Sequence, residues 1–289
     1  MRAGFIGLGN IGAPMAGRLL EAGLEVTIHD LARSAAEPLL ARGAHWASSP
    51  AEMAARCDLV GVCVPDDAGV REVVTGEAGV LSRAEPGSLL LIHSTVLPET
   101  IESLSPAARD AGVALLDAPM TGGAPGAERG ELVYMVGGDA AAVERARPYL
   151  AAGSKKILHA GPLGSGARLK LCVNTNTYFL YQAVYESAQL AQAAGVDLDL
   201  LREVGDSNGQ LSRMALAFFD MFRQRGDPEL WPPVEKMLRG STAIARKDLA
   251  CAMAMARESG VDDSALARVR ERMGEIYGVE PAGPGVGSA

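Results

Sequence analysis

The first dozen residues constrain this chain more than any other stretch. An apolar run, Ala3 to Ile6, leads directly into Gly7-Leu8-Gly9-Asn10-Ile11-Gly12. Each glycine has a physical task. Gly7 makes the tight turn out of a strand, Gly9 lets the backbone approach a pyrophosphate, and Gly12 lets the next helix pack closely on the strand. The N–H groups at the start of that helix face the anion. With 34 glycines in 289 residues such a pattern means little alone, and the flanking sequence gives it weight. Ala13 to Ala22 reads as a helix, with Pro14 tolerated in its first turn and Gly23 as its stop. Glu25 to His29 reads as a second strand running into Asp30, 18 residues after Gly12, near where a carboxylate grips an adenosine ribose.

The first half continues this alternation. Leu59 to Val64, ended by Pro65, then Leu89 to His93, Val113 to Asp117 and Leu132 to Val136 are apolar runs, with helical stretches such as Pro98 to Ala111 and Ala140 to Leu150 between them. Strands apolar throughout and separated by helices predict a parallel sheet covered on both faces. The pattern changes after Gly161-Pro162-Leu163-Gly164-Ser165-Gly166. Ala167 to Ala194 reads as one long helix closed by Gly195, and the rest as helices to about Tyr277, broken near Gly205 to Gly209 and near Trp231-Pro232-Pro233. The expected class is α/β: a Rossmann-type doubly wound domain over 1–162, an all-α substrate and oligomerisation domain over 163–279 reached through the long helix, and a disordered Gly/Pro-rich tail over 280–289. The junction of the two domains is the expected cleft.

Bulk properties exclude several function classes. A net charge of −8 argues against nucleic acid or an anionic membrane surface as the main partner. With no apolar signal core before the first strand and no run of about 18 apolar residues, a cytoplasmic protein is expected. Cys57, Cys63, Cys172 and Cys251 have no metal spacing and read as buried reduced thiols, and the four histidines are scattered singly, so no metal is expected.

Four motifs in order over nearly the whole length carry a resemblance. They are Gly4 to Ala16; Asp117-Ala118-Pro119-Met120-Thr121-Gly122-Gly123 with Gly126-Ala127 and Gly130-Glu131-Leu132; Gly164-Ser165-Gly166-Ala167-Arg168-Leu169-Lys170 with Asn174; and Lys247-Asp248-Leu249. In these the chain resembles the β-hydroxyacid dehydrogenases. The resemblance implies a nicotinamide cofactor held by Gly7, Leu8, Gly9, Asn10, Ile11, Gly12, Asp30, Val64, Pro65, Thr95 and Lys247. It implies Lys170 as general acid/base, oriented with the substrate by Asn174, and a small carboxylate substrate held at Thr121, Gly122 and Gly123. A homodimer or homotetramer is implied as well.

The residues carry the same chemistry on physical grounds. Oxidising an alcohol needs a group that takes the hydroxyl proton as hydride leaves. A lysine can serve if burial and a nearby cation, for which Lys247 is the candidate, lower its pKa from about 10.4. Asn174, four residues on, shares the helix face of Lys170. The Thr121 hydroxyl and the backbone N–H groups after it suit a carboxylate. Asp30 would repel the 2′-phosphate of NADP, which puts NAD ahead of NADP, although Arg33 could offset this if Asp30 turned away.

Three positions depart from the family. Val173 stands where an asparagine is usual, Gly240 where an aromatic is common, and Asp206 to Arg213 matches poorly. All lie in the helical half, and Gly240 suggests room for a bulkier substrate. Tyr178, Tyr181 and Tyr185 continue the face of Lys170, as pocket lining or as core. The expected activity is hydride transfer to or from a short 3-hydroxy acid or its semialdehyde. Alternatives are a carbonyl or imine reductase on the same scaffold and a non-catalytic cofactor-binding module.

Overall fold

A computed structural model describes residues 1–280. The order of strands and helices runs β1 (Arg2–Ile6), α1 (Gly12–Glu21), β2 (Glu25–His29), α2 (Glu37–Leu40), β3 (His45–Trp46), α3 (Pro50–Ala54), β4 (Leu59–Val62), α4 (Asp67–Thr75), β5 (Leu89–Ile92), α5 (Pro98–Asp110) and β6 (Ala114–Asp117). It continues with β7 (Met120–Thr121), α6 (Gly123–Arg129), β8 (Leu132–Gly137), α7 (Ala140–Ala151) and β9 (Ser154–Gly161). Then come only helices: α8 (Ser165–Ala193), α9 (Leu198–Ser207), α10 (Arg213–Arg223), α11 (Trp231–Glu258) and α12 (Ser264–Ile276). The tail expected to be disordered lies, from residue 281 on, outside the described residues.

Contacts divide the chain into two compact units, Met1–Lys170 and the residues from Leu171 on. The first is built on one sheet of order β3-β2-β1-β4-β5-β6-β8-β7, with β9 paired to β8. The strands from β1 to β6 pair in parallel, and β4 and β5 are buried at every position, as covered strands must be. Two apolar clusters enclose the sheet: one holds Phe5, Met15 and Leu19, the other Val62, Val70 and Ile101. This is the Rossmann-type doubly wound arrangement.

The parallel expectation fails beyond β6. β8 runs antiparallel to both β6 and β7, meeting β6 at the single pair Asp117–Gly137. The link from β7 to β8 holds only a seven-residue helix, short for a parallel crossover of a dozen or more residues. β9, which pairs in parallel with β8, begins Ser154-Lys155-Lys156 and has no apolar run to announce it. The break expected near Trp231-Pro232-Pro233 lies just before it, between α10 and α11, and the prolines themselves open α11, because proline lacks the N–H that the first helical turn leaves unpaired anyway. The thiol expectation needs one correction: Cys57 and Cys251 are buried and Cys63 is half-buried, but Cys172 is exposed on α8.

The second unit is wholly helical among the described residues. Its core gathers Tyr178, Val184 and Tyr185 of α8 with Phe218, Phe219, Leu249, Met273 and Tyr277. The tyrosine stripe is therefore largely core. The Tyr181 ring stacks on Phe218 at 4.4 Å, and the Tyr185 hydroxyl bonds Glu275. Among the described residues, no helix is long and apolar enough to cross a membrane.

One polar cluster sits inside the sheet unit. His93, just past β5, is 1% exposed, and its ring stacks on Phe5 and Tyr149. Nδ1 lies 2.8 Å from the Ala118 carbonyl oxygen and Nε2 lies 3.2 Å from the Tyr149 hydroxyl. A carbonyl can only accept, so Nδ1 carries the proton and Nε2 accepts from Tyr149. Gly61 permits this, since a Cβ there would collide with the Tyr149 hydroxyl and approach Nε2 to 2.9 Å. Burial pulls the His93 pKa from 6.5 down to about 4. Between those values only the unfolded chain binds the proton, so stability is lost as pH falls through that window. Replacing His93 with glutamine keeps a donor and an acceptor without the titration. From about pH 7 to pH 4.5, urea titrations of the parent chain should lose about 2 kcal/mol more stability than those of His93→Gln; equal losses would contradict a neutral buried His93.

Candidate functional site

Parallel pairing brings the ends of four strands to one edge of the sheet. The residue after each strand continues the ladder to its neighbour: Gly7 N–H to the His29 carbonyl, Cys63 N–H to Ile6, His93 N–H to Val62 and Ala118 N–H to Ile92. The loops that follow therefore leave together, at the end of the sheet where ligands gather in folds of this type. The strand order also reverses between β1 and β4, the switch point at which a crevice opens.

The glycine loop has the geometry its spacing suggests. Gly7 takes φ +94°, and a Cβ there would collide with the Cys63 carbonyl. A Cβ on Gly12 would collide with the Gly7 carbonyl, so α1 can start this close to β1 only through glycine. Around Gly9 a Cβ would meet no protein atom within 4 Å. Gly7 and Gly12 thus serve the fold, while Gly9 faces open space of the kind an approaching phosphate requires. On this observation the loop fits a dinucleotide.

Asp30 is held in place. Its Oδ2 accepts the Leu8 N–H at 2.6 Å and its Oδ1 the Ala32 N–H at 2.7 Å. Each oxygen keeps a further lone pair for a hydroxyl. Arg33 is directed elsewhere, its guanidinium 4.5 Å from the centre of the Trp46 ring.

The loops after β4 and β5 are tied to each other. The Val64 N–H donates to the Ser94 hydroxyl at 2.8 Å. Asp67 accepts from the Leu97 N–H at 2.9 Å and from the Thr100 hydroxyl at 2.6 Å. Val64 and Pro65 thus stand beside the segment that holds Thr95. Sequence reasoning missed Asp67; Asp66-Asp67 directly after Pro65 was its signal, Asp66 capping α4 through the Gly69 N–H.

Thr121 ends β7 and is half-buried, and Gly122 and Gly123 take φ +130° and +63°. Glycine adopts these left-handed conformations without a Cβ penalty, and they lead into α6. Lys170 lies half-buried in the second turn of α8. The start of that helix is fastened to the sheet through Asp117, whose carboxylate accepts from the Gly164 and Ala167 N–H groups.

In the helical unit Asp248 is the organising residue, 3% exposed on α11. Its Oδ2 accepts from the Asn174 amide at 2.7 Å and from the Tyr178 hydroxyl at 3.0 Å, and the Lys247 ammonium lies 2.8 Å from its Oδ1. Asp248 thus joins Asn174 and Lys247. Burial and this carboxylate push the Tyr178 hydroxyl far above the usual phenol range, so it remains a donor. Asn174 and Lys170 share one helix, a turn apart. Gly240 is exposed on α11, and a Cβ there would meet nothing within 4 Å. Among the described residues, no group of three or more His, Cys, Asp or Glu could hold a metal ion.

The chain is similar to several known proteins. Residues 2–161 match the NAD binding domain of 6-phosphogluconate dehydrogenase. The chain is 40% identical over 200 residues to an NAD-dependent L-serine dehydrogenase of Pseudomonas aeruginosa, covering 69% of this chain and 67% of that protein. It is 38% identical over 200 residues to 3-hydroxyisobutyrate dehydrogenase of the same organism, with the same coverage, 69% and 67%. The solved structure of Mycobacterium tuberculosis 3-hydroxyisobutyrate dehydrogenase with L-serine superposes with a TM-score of 0.82 at 29% identity, over 96% of this chain and 94% of that one.

The glycine geometry separates two effects. Gly9→Ala should leave thermal stability within about 0.5 kcal/mol while weakening NAD binding, whereas Gly12→Ala should cost about 1–3 kcal/mol of stability as well. Thermal melts beside fluorescence titrations with NAD check this, and a strongly destabilised Gly9→Ala would refute the assignment of Gly9 to open space.

Proposed function

The chain belongs to the β-hydroxyacid dehydrogenase family, and from that premise we propose that it transfers hydride between NAD and a short 3-hydroxy acid or the matching semialdehyde. That it is an oxidoreductase with an NAD-binding domain follows from the family itself. The observation that carries the finer reading is the gathering of the Gly7, Val64 and Thr95 loops at one sheet edge, with Asp30 fixed beside them and the helix of Lys170 fastened to the same sheet.

The bound nicotinamide ring would supply the hydride acceptor or donor. Everything else falls to the protein. Gly9 leaves space for the pyrophosphate, and the amides at the start of α1 face it. Leu8, Asn10 and Ile11 complete that loop. Asp30 accepts from the ribose hydroxyls. Because two backbone amides already hold its carboxylate, turning away to admit a 2′-phosphate would break both bonds, and Arg33 is engaged over Trp46. This supports NAD over NADP.

Thr121 and the Gly122 and Gly123 amides hold the substrate carboxylate, which fixes the hydroxyl-bearing carbon. Lys170 takes the hydroxyl proton as the alcohol is oxidised and returns it to the oxygen when the aldehyde is reduced. Asn174, anchored by Asp248, hydrogen-bonds Lys170 or the substrate. We assign Lys247 to the nicotinamide end of the cofactor on the family resemblance alone. The absence at Gly240 of the aromatic common in the family is the ground for expecting a substrate side chain larger than a methyl group. We further assign the dinucleotide to residues 1–162 and the substrate and assembly role to 163–279, and expect a cytoplasmic homodimer or homotetramer.

A steady-state assay with NAD or NADP and 3-hydroxy acids of increasing size tests the reading. Turnover should favour NAD, and Lys170→Met should lower kcat by about 10²–10⁴-fold while NAD affinity stays near that of the parent. Asp30→Gly should narrow the preference for NAD. Tight NAD binding without turnover of any hydroxy acid would overturn the substrate assignment.

A further inference from the structure

Asp117 is the last residue of β6 and is fully buried, 0% exposed. The chemistry above gives it no part. Its Oδ1 accepts the Gly164 N–H at 2.8 Å and its Oδ2 the Ala167 N–H at 2.7 Å. Those amides belong to the first turn of α8 and to the residue just before it, where no earlier helical carbonyl can serve them. Lys170 follows Ala167 by three residues, less than one turn.

The seat around the carboxylate is shaped for it. A Cβ on Gly137 would collide with Oδ1, while one on Gly166 would stand 2.8 Å from Oδ2 and collide with the Met135 carbonyl. Glycine at both places lets strand β8 and the start of α8 close on one buried anion. The positive end of the helix dipole favours that anion, and the two N–H groups oppose the upward push of burial on its pKa. A cap drawn from the helix's own sequence would fix only its first turn. A cap drawn from β6 registers the helix against the sheet, and Thr121 lies four residues farther along the chain from Asp117.

We propose that Asp117 is a positioning residue that sets the distance of Lys170 from the carboxylate seat at Thr121-Gly122-Gly123 by tying the start of its helix to the end of β6. The proposal rests on Lys170 being the acid/base group. Asp117→Asn turns an amide toward one of the two N–H groups and loosens the tie without emptying the seat.

The test is a double-mutant cycle on kcat, run beside NAD titrations. In the parent background Asp117→Asn should lower kcat about tenfold or more and leave NAD affinity within about twofold. In a Lys170→Ala background, with or without ethylamine as an external base, the same change should alter the rate by less than about twofold. Equal loss in both backgrounds would overturn the proposal and leave Asp117 a purely structural residue. A Lys170→Ala chain with parental kcat would instead overturn the role of Lys170, a separate and recognisable result. Should Asp117→Asn not fold, amide hydrogen exchange of the parent chain still decides: Gly164 and Ala167 should be as protected as the β6 strand, and exchange at the rate of a solvent-open helix end would overturn the proposal.

Discussion

The close approach of backbone to backbone at the first turn is the constraint on which the nucleotide-binding unit depends. The Gly7 carbonyl stands where a Cβ of residue 12 would be, and the Cys63 carbonyl where a Cβ of residue 7 would be. Only because both side chains are absent can α1 start directly beneath β1 while β4 pairs alongside. The rest of that edge follows from ladder geometry. Once β1, β4, β5 and β6 are parallel neighbours, their exits align, and the loops carrying Val64, Thr95 and Thr121 leave from the same end of the sheet. A proline or a bulky residue could not be accommodated at these points, so here the motif is a statement about space as much as about ligand.

Buried polar groups then fix what packing alone would leave loose. His93, Asp117 and Asp248 are each almost wholly removed from water, and each is met by donors or acceptors of the right sense. An unpaired group in such a place costs about 1–3 kcal/mol or more, so these contacts discriminate strongly against alternative registers. His93 joins β5 to the exit of β6 through the Ala118 carbonyl and to α7 through Tyr149. Asp248 joins α8 to α11. Asp30 works the same way nearer the surface, since one carboxylate held by two backbone amides fixes the direction in which its remaining lone pairs point.

The structure and the sequence part company where order depends on residues far apart in the chain. The strands β1, β4, β5, β6 and β8 were legible because burial on both faces demands unbroken apolar runs, and β2 because it follows the glycine stop of the first helix and leads into Asp30. β3 and β7 have two residues each, too few to show a period, and β9 opens on Ser-Lys-Lys. The direction of β8 could not be read, because direction is set by the link before it and not by the strand's own composition. Trp231-Pro232-Pro233 did mark a break between helices, and it stands on the opening side of that break because prolines are welcome at the start of a helix. Cys172 was expected inside because cysteine usually is, and one residue on an amphipathic helix can face out at no cost to the pattern. In the site, Gly7, Gly9, Gly12 and Asp30 were legible because their spacing is the geometry. Asp117 and Asp248 stood within recognised motifs, yet what they bond, 47 to 74 residues away, left no mark in local sequence.

What the sequence by itself determined is everything that nearest neighbours along the chain can express: a strand–glycine turn–helix start, the alternation that builds a covered sheet, the change to helix after Gly166, the family, and the residue types able to move a proton or hold a carboxylate. Only the tertiary structure decided which way β8 runs, that the Asp30 carboxylate is pinned and Arg33 engaged, that His93 is neutral and internal, and that single buried carboxylates tie together elements distant in sequence. The division has one physical cause. Periodicity and glycine spacing are short-range properties of a chain with fixed bond geometry, whereas the partner of a buried polar group is set by which distant segments fold against it.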